Sequence, residues 1–229
     1  MNNDMIPELF LSVPSITDYW IPPEPKEYYL DQLDAAVDQN EKIKAIIALI
    51  EISRYQRNLD RGFNETICNE LIGLLERHGQ NPELTERVAG LLMREGAYCE
   101  KRGDFYLAIK FYESCLQFWI DSPEYRYYRL NNLAFCMNYM RRFEDAEPLL
   151  RQAIEILPEQ YNAWKNLGVS LEHQGQIEEA AESYLRAIAL CPQNGRAAMH
   201  LKRLVERYPA LKKVQVIADF VIDTDPVNE

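Results

Sequence analysis

Residues 163–192 read AWKNLGVSLEHQGQIEEAAESYLRAIALCP. Apolar and small residues recur at helical spacing on both sides of Gly175, and Pro192 closes the stretch, which predicts two antiparallel helices joined by a tight turn. Trp164, Leu167, Gly168, Gly175, Ile177, Ala180, Tyr184, Ala187 and Pro192 mark the pattern. Thirty-four residues earlier stand Leu130, Leu133, Ala134, Arg141, Phe143, Ala146, Leu150, Ala153 and Pro158, which match in size class except at Arg141. A looser copy carries Leu92, Gly96, Cys99, Gly103, Phe105, Ala108, Tyr112 and Phe118. A period of about 34 residues, with large and small positions in fixed order, is the signature of stacked helical hairpins. Stacked hairpins build an extended surface rather than a reaction centre.

The small residues have a geometric reason. Gly168 or Ala134 on a first helix, set against Ala180 or Ala146 on the second, allows the two axes to approach to about 8–10 Å. Gly103 and Gly175 supply the turn between helices. Pro158 and Pro192 end the second helices.

The string at 163–192 resembles a tetratricopeptide repeat over nearly all family marker positions. RLNNLAFCMNYMRRFEDAEPLLRQAIEILP at 129–158 is similar, with Leu130 where the family often has Trp and Arg141 in place of the turn Gly. GLLMREGAYCEKRGDFYLAIKFYESCLQFW at 90–119 is a weaker match. The resemblance implies an all-α fold, a right-handed α-solenoid of tetratricopeptide-like helical hairpins. The expected organisation is a Pro-rich extended leader (1–25), an N-terminal helical cap (26–88), repeats at 89–122, 127–160 and 161–194, and a degenerate repeat-like C-terminal cap (195–228).

In this family the first helix of each unit lines a concave groove that binds a segment of another protein. The groove-facing places are the second, fifth, sixth, ninth, twelfth and thirteenth. The second repeat puts Asn131, Asn132, Phe135 and Asn138 there, together with Tyr128 and Tyr139. The third puts Asn162, Lys165, Asn166 and Val169, with Glu172 and His173. The fourth puts Arg196, His200, Arg203 and Arg207, with Met199 and Glu206. The first four named in each unit are the candidate peptide contacts. Asn132 and Asn166 share the sixth place one repeat apart. A side-chain amide donates and accepts at once, so the pair can hold a ligand backbone, or it can bond to neighbouring helices or to solvent. Arg196, His200, Arg203 and Arg207 follow one another at spacings of 4, 3 and 4, a single helical stripe. Guanidinium groups fork onto carboxylates, so the stripe suits an acidic segment of a partner or the chain's own acidic end, Asp219 to Glu229; the alternative is a solvated polar face. The clamp with which some members hold chaperone tails is matched only in part: aligned from the first repeat its first-unit places hold Met93 and Ala97, and aligned from the second Asn166 and Arg196 fit while Asn131, Phe135 and His200 do not.

The 229-residue chain is 47 % apolar with a formal net charge of −11. That charge disfavours nucleic acid and anionic membranes as main partners. Five cysteines, odd in number and without a C-x-x-C pair, read as reduced core thiols of a cytoplasmic protein. No secretory signal and no bilayer-length apolar run is legible. There is no phosphate loop or nucleophile elbow, and His78, His173 and His200 have no metal-ligand spacing. The expectation is therefore no enzyme, no cofactor and no metal. What remains is a non-catalytic adaptor or chaperone-like module whose groove takes an extended or acidic peptide segment of another protein.

The leader carries Pro7, Pro14, Pro22, Pro23 and Pro25 among Phe10, Leu11, Tyr19, Trp20 and Ile21. It is too apolar for a purely solvated tail, and packing onto the body or a partner is expected. The cap predicts helices with Tyr29, Leu33, Ala36 and Val37, then Ile43, Ile46, Ile47, Leu49 and Ile50, then Ile67, Leu71, Leu74 and Leu75. The alternative reading is structural: self-association, or assembly of a larger complex, through leader and cap. A last helix over Ala210 to Asp223 precedes the acidic end.

Overall fold

The computed structural model describes residues 24–35, 82–118 and 120–213, with Ala45, Ala48, Leu49, Ile52, Gly73 and Ile217. Among the described residues every regular element is helical. The order is α1 (Lys26–Ala35), α2 (Pro82–Lys101), α3 (Phe105–Cys115), α4 (Pro123–Tyr139), α5 (Phe143–Ile156), α6 (Tyr161–His173), α7 (Ile177–Leu190), α8 (Gly195–Arg207) and a 3-10 helix, Pro209–Lys213. The chain divides into two compact units, Met1–Tyr98 with Ser114–Ile120 and Cys99–Glu113 with Asp121–Glu229.

In the first unit, Ala45, Ala48, Leu49 and Ile52 are helical and buried, an i, i+3, i+4, i+7 stripe of which the sequence reading had named only Leu49. Val88, Ala89, Leu91 and Leu92 of α2 are buried too, and the Cys115 thiol donates to the Ala89 carbonyl at 3.8 Å. The leader residues Phe10 to Ile21 lie outside the described residues, as do Ala36, Val37, Ile43, Ile46, Ile47, Ile50, Ile67, Leu71, Leu74 and Leu75.

The second unit is a stack of hairpins. α4 packs on α5, α6 on α7, α5 on α6 and α7 on α8, while the first helices α4, α6 and α8 also touch in sequence. Ala134, Ala146, Leu150, Ala153, Leu171, Ala180, Tyr184, Leu201 and Leu204 are fully buried between them. Each hairpin turns in the same way. The amide of Asp104, Arg142 or Gln176 reaches back five residues to the carbonyl of Cys99, Met137 or Leu171 at 2.8–2.9 Å. That bond needs a left-handed residue between. Gly103 (φ 81°) and Gly175 (φ 80°) take it, and Arg141 takes it at φ 61°.

Three details differ from the sequence reading. Gly168 is covered by the Tyr184 ring, so its missing Cβ makes room for Tyr184 rather than for Ala180. α4 begins four residues ahead of the expected start of the second repeat at 127: Ser122 accepts the Tyr125 amide at 3.1 Å and Pro123 occupies the first turn. The helix expected from Ala210 opens as the 3-10 helix Pro209–Lys213. Ile217 is helical and buried, and residues 218–229 lie outside the described residues.

Candidate interaction surface of the second unit

The first helices bring the asparagines together in one network. Asn166 Nδ2 donates to Asn131 Oδ1 at 3.0 Å, and Asn131 Nδ2 donates to Asn132 Oδ1 at 3.2 Å. Asn138 Nδ2 donates to the Asn166 carbonyl at 3.0 Å, and the Ser170 hydroxyl donates to Asn138 Oδ1 at 2.8 Å. Asn131, Asn132, Asn138 and Asn166 are all buried. Most of their polar capacity is spent between α4 and α6; the Asn166 Oδ1 receives no hydrogen bond from any described residue.

Two carboxylates flank the network, Glu172 buried and Glu100 half-buried. Glu172 Oε2 accepts from the Tyr184 hydroxyl at 2.9 Å, and its Oε1 takes Arg207 Nη1 of α8 at 3.3 Å. Glu100, at the equivalent place of the first repeat, accepts from the Tyr112 hydroxyl at 3.1 Å and from the Cys136 thiol at 3.9 Å. Asn132 in turn bonds to Tyr112, so the polar chain runs from Glu100 through Tyr112 to Asn166. Burial pushes Glu100 up to about 7, against the bonds from Tyr112 and Cys136 and the field of Lys165. Burial likewise raises the Tyr112 and Tyr184 hydroxyls and the Cys136 thiol, each helped by the carboxylate beside it.

The stripe on α8 is divided. His200 lies flat against the Tyr184 ring, centroids 5.3 Å apart, and burial followed by the charge of Arg203 holds it below the ordinary histidine range. Arg207 is committed to Glu172. Arg196 and Arg203 are exposed, and among the described residues their guanidinium groups make no ion pair. Lys165 is buried and donates to Asn162 Oδ1 at 3.3 Å; Val169 is half-buried. Phe135 packs in an aromatic group at the first junction: Tyr139 stacks on Phe105 at 4.2 Å and lies 5.0 Å from Phe135. The next junction repeats the stack with Phe143 on His173 at 4.3 Å.

Glu100, Tyr112, Tyr184, Cys136 and Phe105 were missed as site residues. A signal was present: Gly, Glu and Tyr recur as Gly96, Glu100 and Tyr112, and again as Gly168, Glu172 and Tyr184, where the second repeat has Ala134, Asn138 and Leu150. Among the described residues no group of three or more His, Cys, Asp or Glu could hold a metal ion, and no helix is long and apolar enough to cross a membrane. Among the described residues no disulfide forms: Cys99, Cys115 and Cys136 are buried thiols and Cys191 is a half-buried one.

This geometry defines a helical-hairpin solenoid, and comparison with known proteins places it. Residues 139–195 match a family model described as tetratricopeptide repeat, and residues 87–159 match a second of the same description. Together the two matches cover residues 87–195, and that stretch of the chain is built of tetratricopeptide repeats. Human tetratricopeptide repeat protein 7B is 30 % identical over 100 residues, 44 % of this chain; the match spans 11 % of that relative's length. Two solved structures share the fold. The C-terminal repeat domain of a Plasmodium falciparum protein described as FK506-binding aligns with a TM-score of 0.54 at 23 % identity, over 59 % of this chain and 97 % of its own. MamA from Desulfovibrio magneticus RS-1 aligns with a TM-score of 0.51 at 20 % identity, over 77 % of this chain and 97 % of its own.

Proposed function

We propose that the second unit is a non-catalytic docking module, of the adaptor kind, that holds an extended segment of another protein across α4, α6 and α8. The observation that carries the reading is the alignment of these first helices with polar side chains in register one repeat apart. Asn166 Oδ1 and Asn162 offer hydrogen bonds to a ligand backbone, and Arg196 and Arg203 offer two uncommitted guanidinium groups to acidic side chains. Arg207 acts within the protein, as the counter-charge of Glu172. Phe135 and Val169 provide the apolar part of the surface.

The test begins with peptides selected on the full chain from a random display library, one of which is then measured against variants. Asn162→Ala, Arg196→Ala and Arg203→Ala change half-buried or exposed side chains, so folding is retained. Each lost charge-assisted bond is expected to weaken binding about tenfold. Peptide-induced shifts of amide resonances fall on α4, α6 and α8. Unchanged affinity in the triple variant, with shifts on the second helices instead, refutes the reading.

A further inference from the structure

We infer that Glu100, together with Tyr139 at the place that Arg207 holds two units on, forms a recognition place for one cationic side chain, an arginine by preference, on the segment the second unit binds. The inference rests on that function and adds a polarity to it: a basic residue of the partner lies toward Glu100, acidic residues lie toward Arg196 and Arg203.

The protein contains its own template for such a place. In the third repeat a tyrosine and a carboxylate form a pair, Tyr184 and Glu172, and the next first helix answers with Arg207 at 3.3 Å. Arg207 is the thirteenth residue of its unit. In the first repeat the same pair recurs as Tyr112 and Glu100, with the hydroxyl donated at 3.1 Å. Here the thirteenth residue of the next unit is Tyr139, and α4 brings the Cys136 thiol to Glu100 at 3.9 Å. At the first two junctions the residue opening the second helix packs on the thirteenth residue of the next unit, Phe105 on Tyr139 at 4.2 Å and Phe143 on His173 at 4.3 Å. Glu100 thus keeps the carboxylate half of the Glu172–Arg207 arrangement and lacks the cation.

What replaces the arginine favours an incoming cation. Tyr139 is 60 % exposed and lies flat on Phe105, with Phe135 closing the group. A guanidinium is held both by a carboxylate and by the faces of aromatic rings. The groups facing Glu100 are Tyr112 from α3, Cys136 from α4, and at longer range Lys165 from α6. Neither the phenol nor the thiol carries a positive charge, and Lys165 acts through its field, so no ion pair from the described residues fills the place. Burial holds the Glu100 carboxyl up to about 7, the state of a carboxylate without its counter-ion. A bound guanidinium displaces that proton, so capture strengthens as pH rises through neutrality.

Two experiments on the full chain test this. The first supplies the cation from within. Tyr139→Arg recreates the arrangement of Glu172 with Arg207, and is expected to raise Tm at pH 8 by about 2–4 °C and to flatten the fall of Tm between pH 5.5 and pH 8. Tyr139→Gln, which removes the ring without adding charge, keeps that fall. An unchanged pH slope in Tyr139→Arg overturns the inference, whether or not a partner segment has been found. The second titrates N-acetyl-arginine methylamide at pH 8 and follows the ring resonances of Phe105 and Tyr139. Saturable shifts are expected with arginine, absent with the uncharged citrulline analogue and absent in Glu100→Gln. Equal shifts with citrulline, persistence in Glu100→Gln, or no shift at all overturn it.

Discussion

Gly168 and Tyr184 illustrate how one missing atom sets the chemistry of a hairpin. A Cβ on Gly168 would lie 2.5 Å from Tyr184 Cε1, so the ring can pass only over a glycine, and once there its hydroxyl meets Glu172 at 2.9 Å. Gly168→Ala is expected to cost about 2–3 kcal/mol by overpacking, read from urea unfolding. Adding Tyr184→Leu recovers much of that loss, as the native Ala134 with Leu150 indicates. Arg141 is the opposite case, a side chain at φ 61° where two sister turns use glycine. Arg141→Gly relieves a left-handed conformation costing about 1–2 kcal/mol while adding chain entropy to the unfolded state; a net gain of about 0.5–1 kcal/mol is expected by the same assay. Glu100 ties stability to pH. Its ordinary value is 4.5 and its folded value about 7, so the folded protein holds the proton more tightly. That contribution is complete below 4.5 and is lost as pH rises through 7, on the order of 3 kcal/mol. Stability measured from pH 4.5 to pH 8 should fall more steeply in the native protein than in Glu100→Gln.

Each hairpin is an amphipathic pair whose buried stripe was readable from period alone, because packing selects residues by size and polarity at 3.6-residue spacing. The inner polar face was less legible. Asparagines at matching positions read equally well as ligand contacts or as helix-to-helix bonds, and the distance of 3.0 Å between Asn166 and Asn131 commits one donor to the latter. Tyrosines at the first place of their units also act between repeats. The Tyr127 hydroxyl accepts the Ala163 amide at 3.2 Å, and Tyr161 accepts from Asn194 Nδ2 at 2.8 Å. On the outer side, Arg151 of α5 joins Glu147 at 2.9 Å and Glu179 of α7 at 2.6 Å. These groups are solvated, so Arg151→Ala is expected to cost under about 1 kcal/mol, a difference that shrinks in 0.5 M salt.

In a stack of hairpins each repeat draws stability from its neighbours. α6 and α7 have hairpin contacts on both sides, α4 and α5 before them and α8 after. Amide exchange should accordingly be slowest in α6 and α7 and faster in α8, where α6, α7 and a single 3-10 turn are the described neighbours. Equal protection across all three would contradict this dependence on neighbouring hairpins. The charge of −11 is likewise a property of the whole chain. It coexists with a local pair of exposed guanidinium groups on α8, and short-range attraction there acts within a Debye length of about 8 Å at physiological salt. By itself the amino-acid order determined the helical period, the turn positions and the face each helix buries, because these depend on neighbours three, four and thirty-four residues away. Which Glu meets an arginine, which asparagine amide is spent on another helix, and which arginines stay uncommitted were decided only by tertiary structure. Those contacts join side chains of different repeats, and their partners are set by the packing distance between helices rather than by any spacing along the chain.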